Sequence, residues 1–222
     1  MAIALGTAGC AANAHAETGS TAAAEESREE TVADTVVESV TGAIESMGES
    51  QPEELKALRI YGPVTRTEDG KLSIDNQSGV SSSGEIILNI SEEDTYILDA
   101  VTGFPVALED IKDGDTVYAY IGPAMTMSLP PMTNVTVMFA NLPADAKAPD
   151  YVEVKSMITD ASTSQSVLTA ADGTQYTLAD DCNIFPYLTR NIVTLDDLVE
   201  GRKCVVWSDD ENTAVKIMLF AE

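Results

Sequence analysis

The residues best suited to chemistry lie in one short segment, 122–132, which reads G-P-A-M-T-M-S-L-P-P-M. It carries three thioethers, Met125, Met127 and Met132, and soft thioether sulfur selects Cu(I) over hard cations. Methionine also fills irregular gaps in apolar cores. The prolines Pro130 and Pro131 restrict the backbone, which suits a preformed contact surface. Three uses therefore stay open: internal packing, contact with a partner, and Cu(I) binding.

Other reactive groups are scarce or uninformative. The single histidine, His15, lies in an N-terminal segment that we expect to be removed, which excludes Ser–His and Cys–His nucleophiles and His-based zinc sites. Neither Gly-rich phosphate-binding motif occurs. The acidic runs 92–94 and 209–211 lack EF-hand spacing and are expected to be solvated turns. A carboxylate-based hydrolase is the third choice, because a small barrel has little room for a sugar cleft. We expect no catalytic residue and no enzyme.

The three cysteines are Cys10, Cys182 and Cys204. Cys182 and Cys204 fall on predicted strands on either side of one helical turn, and neighbouring strands would bring them within reach of a disulfide. Export would permit its oxidation. The alternative is a pair of buried free thiols, since an unpaired cysteine packs as a small apolar side chain. We predict the disulfide and leave the thiol pair open.

An internal repeat gives the architecture. Residues 106–115 read V-A-L-E-D-I-K-D-G-D and residues 193–202 read V-T-L-D-D-L-V-E-G-R, which places Gly114 opposite Gly201 at a constant offset. In each copy three short β-prone runs precede this turn and two follow it, which is the element order of a small OB-like barrel. On the strand after the first turn, Tyr118 and Tyr120 alternate with aliphatic residues, as in a half-buried strand.

These patterns define the expected domains. The fold class is all-β: two tandem small OB-like β-barrels follow an acidic, partly helical N-terminal tether. The expected divisions are a signal remnant (1–16), a stalk (17–57), the first barrel (58–142), a linker (143–149) and the second barrel (150–222). The insertion at 122–132 has no counterpart in the second barrel, where the chain turns directly to its last strand.

The N-terminus and the net charge limit location and partners. Residues 1–16 contain no charged side chain and end in Ala14-His15-Ala16, a small-x-small pattern typical of signal cleavage. Thr7–Cys10 instead resembles a lipobox, which would lipidate Cys10. No apolar stretch is long enough to span a membrane. The net charge of −25 argues against nucleic-acid backbones and anionic membranes.

The 122–132 segment also carries a family resemblance. With the preceding I-K-D-G-D-T-V, it resembles a P-A-M-T-x-S-x-P-P motif of uncharacterised secreted modules from Gram-positive anaerobes, some joined to copper amine oxidase N-terminal-like domains. The resemblance covers about 58–142 and implies an extracytoplasmic protein. It lends no activity, because those attached domains resemble a non-catalytic part of the oxidase. Met127 and Met132 depart from the motif.

Together the sequence predicts an exported, non-catalytic binding or envelope-associated protein. Its expected partner is a protein or cell-envelope component, met at Met125, Met127, Pro130, Pro131 and Met132. No cofactor is expected, and extracytoplasmic Cu(I) handling through the three methionines is the alternative.

Overall fold

The computed structural model describes residues 57–221. The expected signal, Cys10 and nearly all of the expected stalk lie outside the described residues. The described part is all-β and forms two five-stranded barrels, which confirms the predicted fold class. Both barrels belong to one compact unit, Ser50–Glu222.

The first barrel is a ring of five strands with a sixth attached to it. β1, β2 and β3 pair antiparallel in order, β5 lies on the other side of β1, and β6 follows β5. A parallel contact between β3 and β6 closes the ring, which is the OB-like arrangement, and β4 is added alongside β6. The strands are β1 (Leu58–Arg66), β2 (Leu72–Asn76), β3 (Gly84–Asn89), β4 (Tyr96–Asp99), β5 (Thr116–Ile121) and β6 (Met132–Ala140).

The second barrel repeats this five-stranded ring without the attached sixth strand. It closes in the order β10-β11-β9-β8-β7, again through a parallel contact, here between β9 and β11. The single long strand β9 takes the positions of both β3 and β4. It pairs with β11 along two stretches separated by an irregularity, just as β3 and β4 each pair with β6. The strands are β7 (Asp150–Thr159), β8 (Ser166–Ala170), β9 (Gln175–Pro186), β10 (Lys203–Ser208) and β11 (Thr213–Leu219).

The repeated turn has the same elements in both copies. A short 3₁₀ helix, Leu108–Asp110 or Leu195–Asp197, leads to a glycine with positive φ, +92° at Gly114 and +85° at Gly201. The N–H of each glycine donates to a carbonyl of its own barrel's first strand at 2.8 Å, from Gly114 to Val64 and from Gly201 to Val154. Each turn therefore fixes the start of the next strand, β5 or β10, against β1 or β7.

Each barrel has its own, mainly aliphatic interior. On β5 the side chains of Val117, Ala119 and Ile121 enter the first core, whereas Tyr118 and Tyr120 face outward, which confirms the predicted alternation.

A third core joins the barrels. Nine aromatic residues lie in it, whereas only Tyr61, Phe104 and Tyr176 of the described aromatics lie elsewhere. Trp207, on the outer face of β10, inserts into the junction, and its indole N–H donates to the carbonyl of Ala100 at 2.6 Å. The nine are Tyr96, Tyr118, Tyr120, Phe139, Tyr151, Phe185, Tyr187, Trp207 and Phe220.

The two barrels meet through equivalent faces. The repeat offset pairs Tyr120 with Trp207, and both lie in the junction. The strand registers likewise make Phe139 equivalent to Met218, since each pairs with the equivalent residue of β5 or β10. Contacts between equivalent patches are the arrangement found in two-fold dimers. Both barrels therefore use equivalent strand positions to form the junction.

Candidate functional site

The methionine-rich segment forms the connection between β5 and β6, which we call the Met/Pro loop (122–131). In an OB barrel this connection flanks the ligand-binding face formed by strands 2 and 3. The loop is fastened where it leaves and rejoins the barrel. The N–H of Gly122 donates to Asn134 at 3.1 Å, and the N–H of Ile87 on β3 donates to the carbonyl of Pro131 at 2.9 Å.

The loop is braced by its own polar groups. The N–H of Thr126 donates to the carbonyl of Met132 at 2.9 Å, and its hydroxyl accepts the N–H of Met132 at 2.8 Å. The hydroxyl of Ser128 donates to the carbonyl of Pro130 at 2.8 Å, and the buried Thr133 hydroxyl donates to Ala124 at 3.1 Å. The Leu129–Pro130 peptide bond is cis. The hydrogen bonds within the loop and its prolines together restrict the backbone of the loop.

The apolar side chains of the loop divide between two environments. Met125 is half-buried against the first core, and its Sδ atom accepts the hydroxyl of Ser81 at 3.0 Å. Met127 and Leu129 are fully exposed at the tip, with relative exposures of 103% and 96%. Met132 is half-buried at the start of β6, beside Ile87. Of the predicted contact residues, Met127 is thus the one most available to a partner, and sequence reasoning missed Leu129.

This division bears on the copper alternative. A thioether centre requires sulfur atoms that converge on one point. Met125 turns toward the core and Met127 toward solvent, so one of them would have to turn over for the two sulfurs to share an ion. Within residues 57–221 no group of three or more His, Cys, Asp or Glu residues is arranged to hold a metal ion.

A second braced loop lies beside the Met/Pro loop. The connection between β2 and β3 is held by the buried side chain of Asn76, which donates to the carbonyls of Val80 at 2.7 Å and Ser82 at 2.8 Å. Val80 is exposed on this loop, and the neighbouring Ser81 reaches Met125. The two loops therefore support one another at the same end of the barrel.

The outer face of β2 and β3 next to these loops is acidic. Asp75 on β2 lies opposite Glu85 on β3, and both side chains are exposed. Ser73 orients Glu85 by donating its hydroxyl to Oε1 at 2.8 Å. Exposed carboxylates thus lie beside the connection that supports the Met/Pro loop, which suits a ligand with both apolar and cationic groups.

The second barrel has no such loop. The corresponding connection between β10 and β11 is a tight turn, Asp209–Asn212, closed by the linker residue Lys147. The ammonium group of Lys147 donates to Ser208 at 2.9 Å, to the Asp209 carbonyl at 2.7 Å and to Asn212 at 3.2 Å. Ala148 and Pro149 are buried, so the expected linker packs against the protein.

The two cysteines of the second barrel are free thiols in the structure, and the predicted disulfide is absent. Cys182 lies on β9 and Cys204 on β10, and these strands are not neighbours because β11 lies between them. Burial raises the pKa of Cys182 to about 11, with Asp181 adding to the effect, and raises that of Cys204 to about 12. Thiolate is the reactive form, so neither residue is poised as a nucleophile.

A polar cluster at the junction of the barrels was also missed from the sequence. Asp150, at the start of β7, pairs with Arg59 of β1 and accepts the hydroxyls of Tyr120 at 3.4 Å and Tyr176 at 3.1 Å. Burial, reinforced by Asp150, raises the pKa of Tyr120 to about 12 and that of Tyr176 further. Both phenols are therefore neutral donors at ordinary pH, and the cluster ties the first barrel to the second.

No known protein-family model matches the chain, and no curated protein matches it. Among the described residues no helix is long and apolar enough to cross a membrane.

Proposed function

We propose that this is an exported, non-catalytic binding protein that contacts a protein partner through the tip of the Met/Pro loop. The observation that carries the proposal is the full exposure of Met127 and Leu129 on a loop whose backbone is fixed by its own hydrogen bonds. When a partner covers two large apolar side chains that were exposed to water, the free energy of the system falls. A loop that is already ordered loses little conformational entropy on binding.

The charge around the tip favours a protein segment that presents an apolar residue near lysine or arginine. Asp75 and Glu85 lie beside the β2–β3 connection, whose Ser81 contacts Met125, and the chain as a whole carries a net charge of −25. Complementary charge accelerates association with a basic partner and repels an anionic one. Export rests on the signal-like residues 1–16, and the lack of catalysis on the scarcity of nucleophile–base pairs in the sequence.

Site-specific crosslinking tests the proposal. A photoreactive phenylalanine analogue is placed at Met127 in the full chain and, as a matched control, at Ile192 of the second barrel, which is 91% exposed. Both variants are irradiated with cell-envelope extract of the source organism. We expect one crosslinked protein from position 127 that does not form from position 192.

A second measurement separates contact from folding. Replacing Met127 and Leu129 with Gln should abolish binding to the crosslinked protein and leave the melting temperature unchanged, because both side chains lie in solvent. Equal crosslinking from positions 127 and 192, or full binding by the Gln variant, would contradict the proposal.

A further inference from the structure

The first barrel has a second candidate surface at the end of β5 and β6 opposite the Met/Pro loop. A cleft of about 440 Å³, here called the first cleft, lies where β5 begins and β6 ends. Its walls include Asp115, Thr116, Tyr118 and Asn141, and residues 142–144 and Ala146 complete its lining. It shares no residue with the loop.

An aromatic platform forms one wall. Tyr118 lies directly opposite Tyr61 across β1 and β5, and their rings stack with centroids 5.2 Å apart and an interplanar angle of 19°. The rest of this outer face, including Tyr120, is covered by the second barrel. The stacked pair is only half-buried, so it is the part of the aromatic face that the junction leaves accessible.

The polar groups of the cleft are held in place. The Oδ2 atom of Asp115 accepts the N–H of Lys112 at 2.8 Å, which fixes the carboxylate at the mouth of the cleft. Asn141, with a φ of +59°, donates its side-chain amide to Asp99 at 3.0 Å. The lining contains one carboxylate and no lysine or arginine.

The repeat supplies an internal comparison. A smaller cleft of about 220 Å³, the second cleft, lies at the equivalent place in the second barrel and includes Gly201, the equivalent of Gly114. There Arg202 and Lys203 replace Asp115 and Thr116. The two clefts share a scaffold but carry opposite charge.

We propose that the first cleft binds an arginine side chain of a protein ligand. A guanidinium group is planar, stacks on aromatic rings and forms two parallel hydrogen bonds to a carboxylate. Tyr118 offers the ring and Asp115 the carboxylate, both on the lining of one cleft. The negative charge of the chain attracts such a group, and the second cleft has no carboxylate in its lining to pair with it.

An arginine tripeptide tests the site in the full-length chain. Acetyl-Gly-Arg-Gly-amide and its neutral citrulline analogue are titrated at millimolar concentration while backbone amide shifts are followed by NMR. We expect saturable shifts at Thr116, Tyr118 and Asn141 with the arginine peptide alone. The equivalent amides of Lys203 and Val205 should not move. The peptide has no large apolar side chain, so the result does not depend on the Met/Pro loop.

Matched variants sharpen the test. Asp115→Asn should weaken binding by about 2- to 5-fold, the usual range for one exposed ion pair. Asp172→Asn is the control, since Asp172 is also an exposed turn carboxylate that accepts a backbone N–H, from Thr174 at 2.8 Å. Tyr118→Val, which introduces the residue found at the equivalent position 205, should weaken binding by a similar factor through loss of the cation–π contact.

Several results would contradict binding of an arginine side chain in the first cleft. Equal shifts with the arginine and citrulline peptides, equal shifts at both clefts, or no saturable shift would overturn the proposal. Saturable binding of N-acetylglucosamine in place of the arginine peptide would make the cleft a sugar site and would also overturn it. Undiminished affinity in Asp115→Asn would do the same, and this surface substitution keeps the test valid if Tyr118→Val fails to fold.

Discussion

Replacing Gly103 with Ala should loosen the junction between the barrels without touching either inner core. Gly103 has a φ of +80°, and a Cβ atom there would lie 2.9 Å from Cη2 of Trp207. The left-handed backbone costs an alanine about 1–2 kcal/mol. Forcing an atom into a packed region adds about 1–3 kcal/mol. We therefore expect the free energy of unfolding to fall by about 2–5 kcal/mol.

Gly173→Ala provides the matched control. Gly173 has a φ of +93°, but a Cβ atom there would meet no heavy atom within 4 Å. This variant should lose only the backbone contribution of about 1–2 kcal/mol. Urea unfolding followed by the fluorescence of Trp207, the only tryptophan, measures both variants with a probe that lies in the junction. The difference between the two losses isolates the contact with the indole ring.

An equal loss of free energy in both variants would contradict this prediction. That result would mean that the indole ring yields to the added atom at no cost, and that the junction is looser than its hydrogen bond to Ala100 indicates. Far-UV circular dichroism recorded in parallel reports the strands of both barrels. A fluorescence transition that precedes the dichroism transition in Gly103→Ala alone would show the barrels separating before they unfold.

Three further predictions concern titration, thiols and copper. Burial raises the folded-state pKa of Tyr120 to about 12 from an ordinary 10.0, so its contribution to stability is complete below pH 10 and is lost as the pH rises to about 12. Tyr120→Phe should therefore lose less stability than the wild type across that window in urea unfolding. Cys182 and Cys204 should resist alkylation at pH 8 in the native protein, because burial raises the pKa of both thiols, and should react in urea. Peptide mass spectrometry maps the labelled cysteines. Rapid labelling of the native protein would contradict this prediction. Cu(I) affinity against a competing chelator should not change when Met125 and Met127 become Leu, since the two thioethers face different surroundings, and a weaker affinity would restore the copper hypothesis.

The sequence predicted the barrels because local chemistry determines most of their elements. Gly114 and Gly201 end the repeated turns, and alternation on β5 separates inward from outward residues. The third strand of the second barrel, β9, runs unbroken through residues 179–181, which include two adjacent aspartates. No glycine or proline interrupts that stretch, and pairing with β11 resumes beyond the irregularity. Here tertiary pairing outweighed the weak strand propensity of Asp180 and Asp181.

The junction between the barrels could not be predicted from the sequence in the same way. Alternation on a strand shows which side chains leave the core, but it does not show what covers them. Tyr118 and Tyr120 have the same pattern, yet Tyr120 is buried by the second barrel and Tyr118 is half-exposed beside the first cleft. The predicted disulfide failed for a related reason. Sequence order placed Cys182 and Cys204 on consecutive strands, but β11 lies between those strands in the ring.

The junction indicates which surfaces of the two barrels remain open to a ligand. The outer faces that meet there cover one another, apart from the half-buried Tyr61–Tyr118 pair. The ends of the barrels remain exposed. At one end the Met/Pro loop stands where the second barrel has a turn closed by Lys147. At the other end Asp115 stands where the second barrel has Arg202. Both departures lie on the first barrel, which is where we propose that recognition takes place.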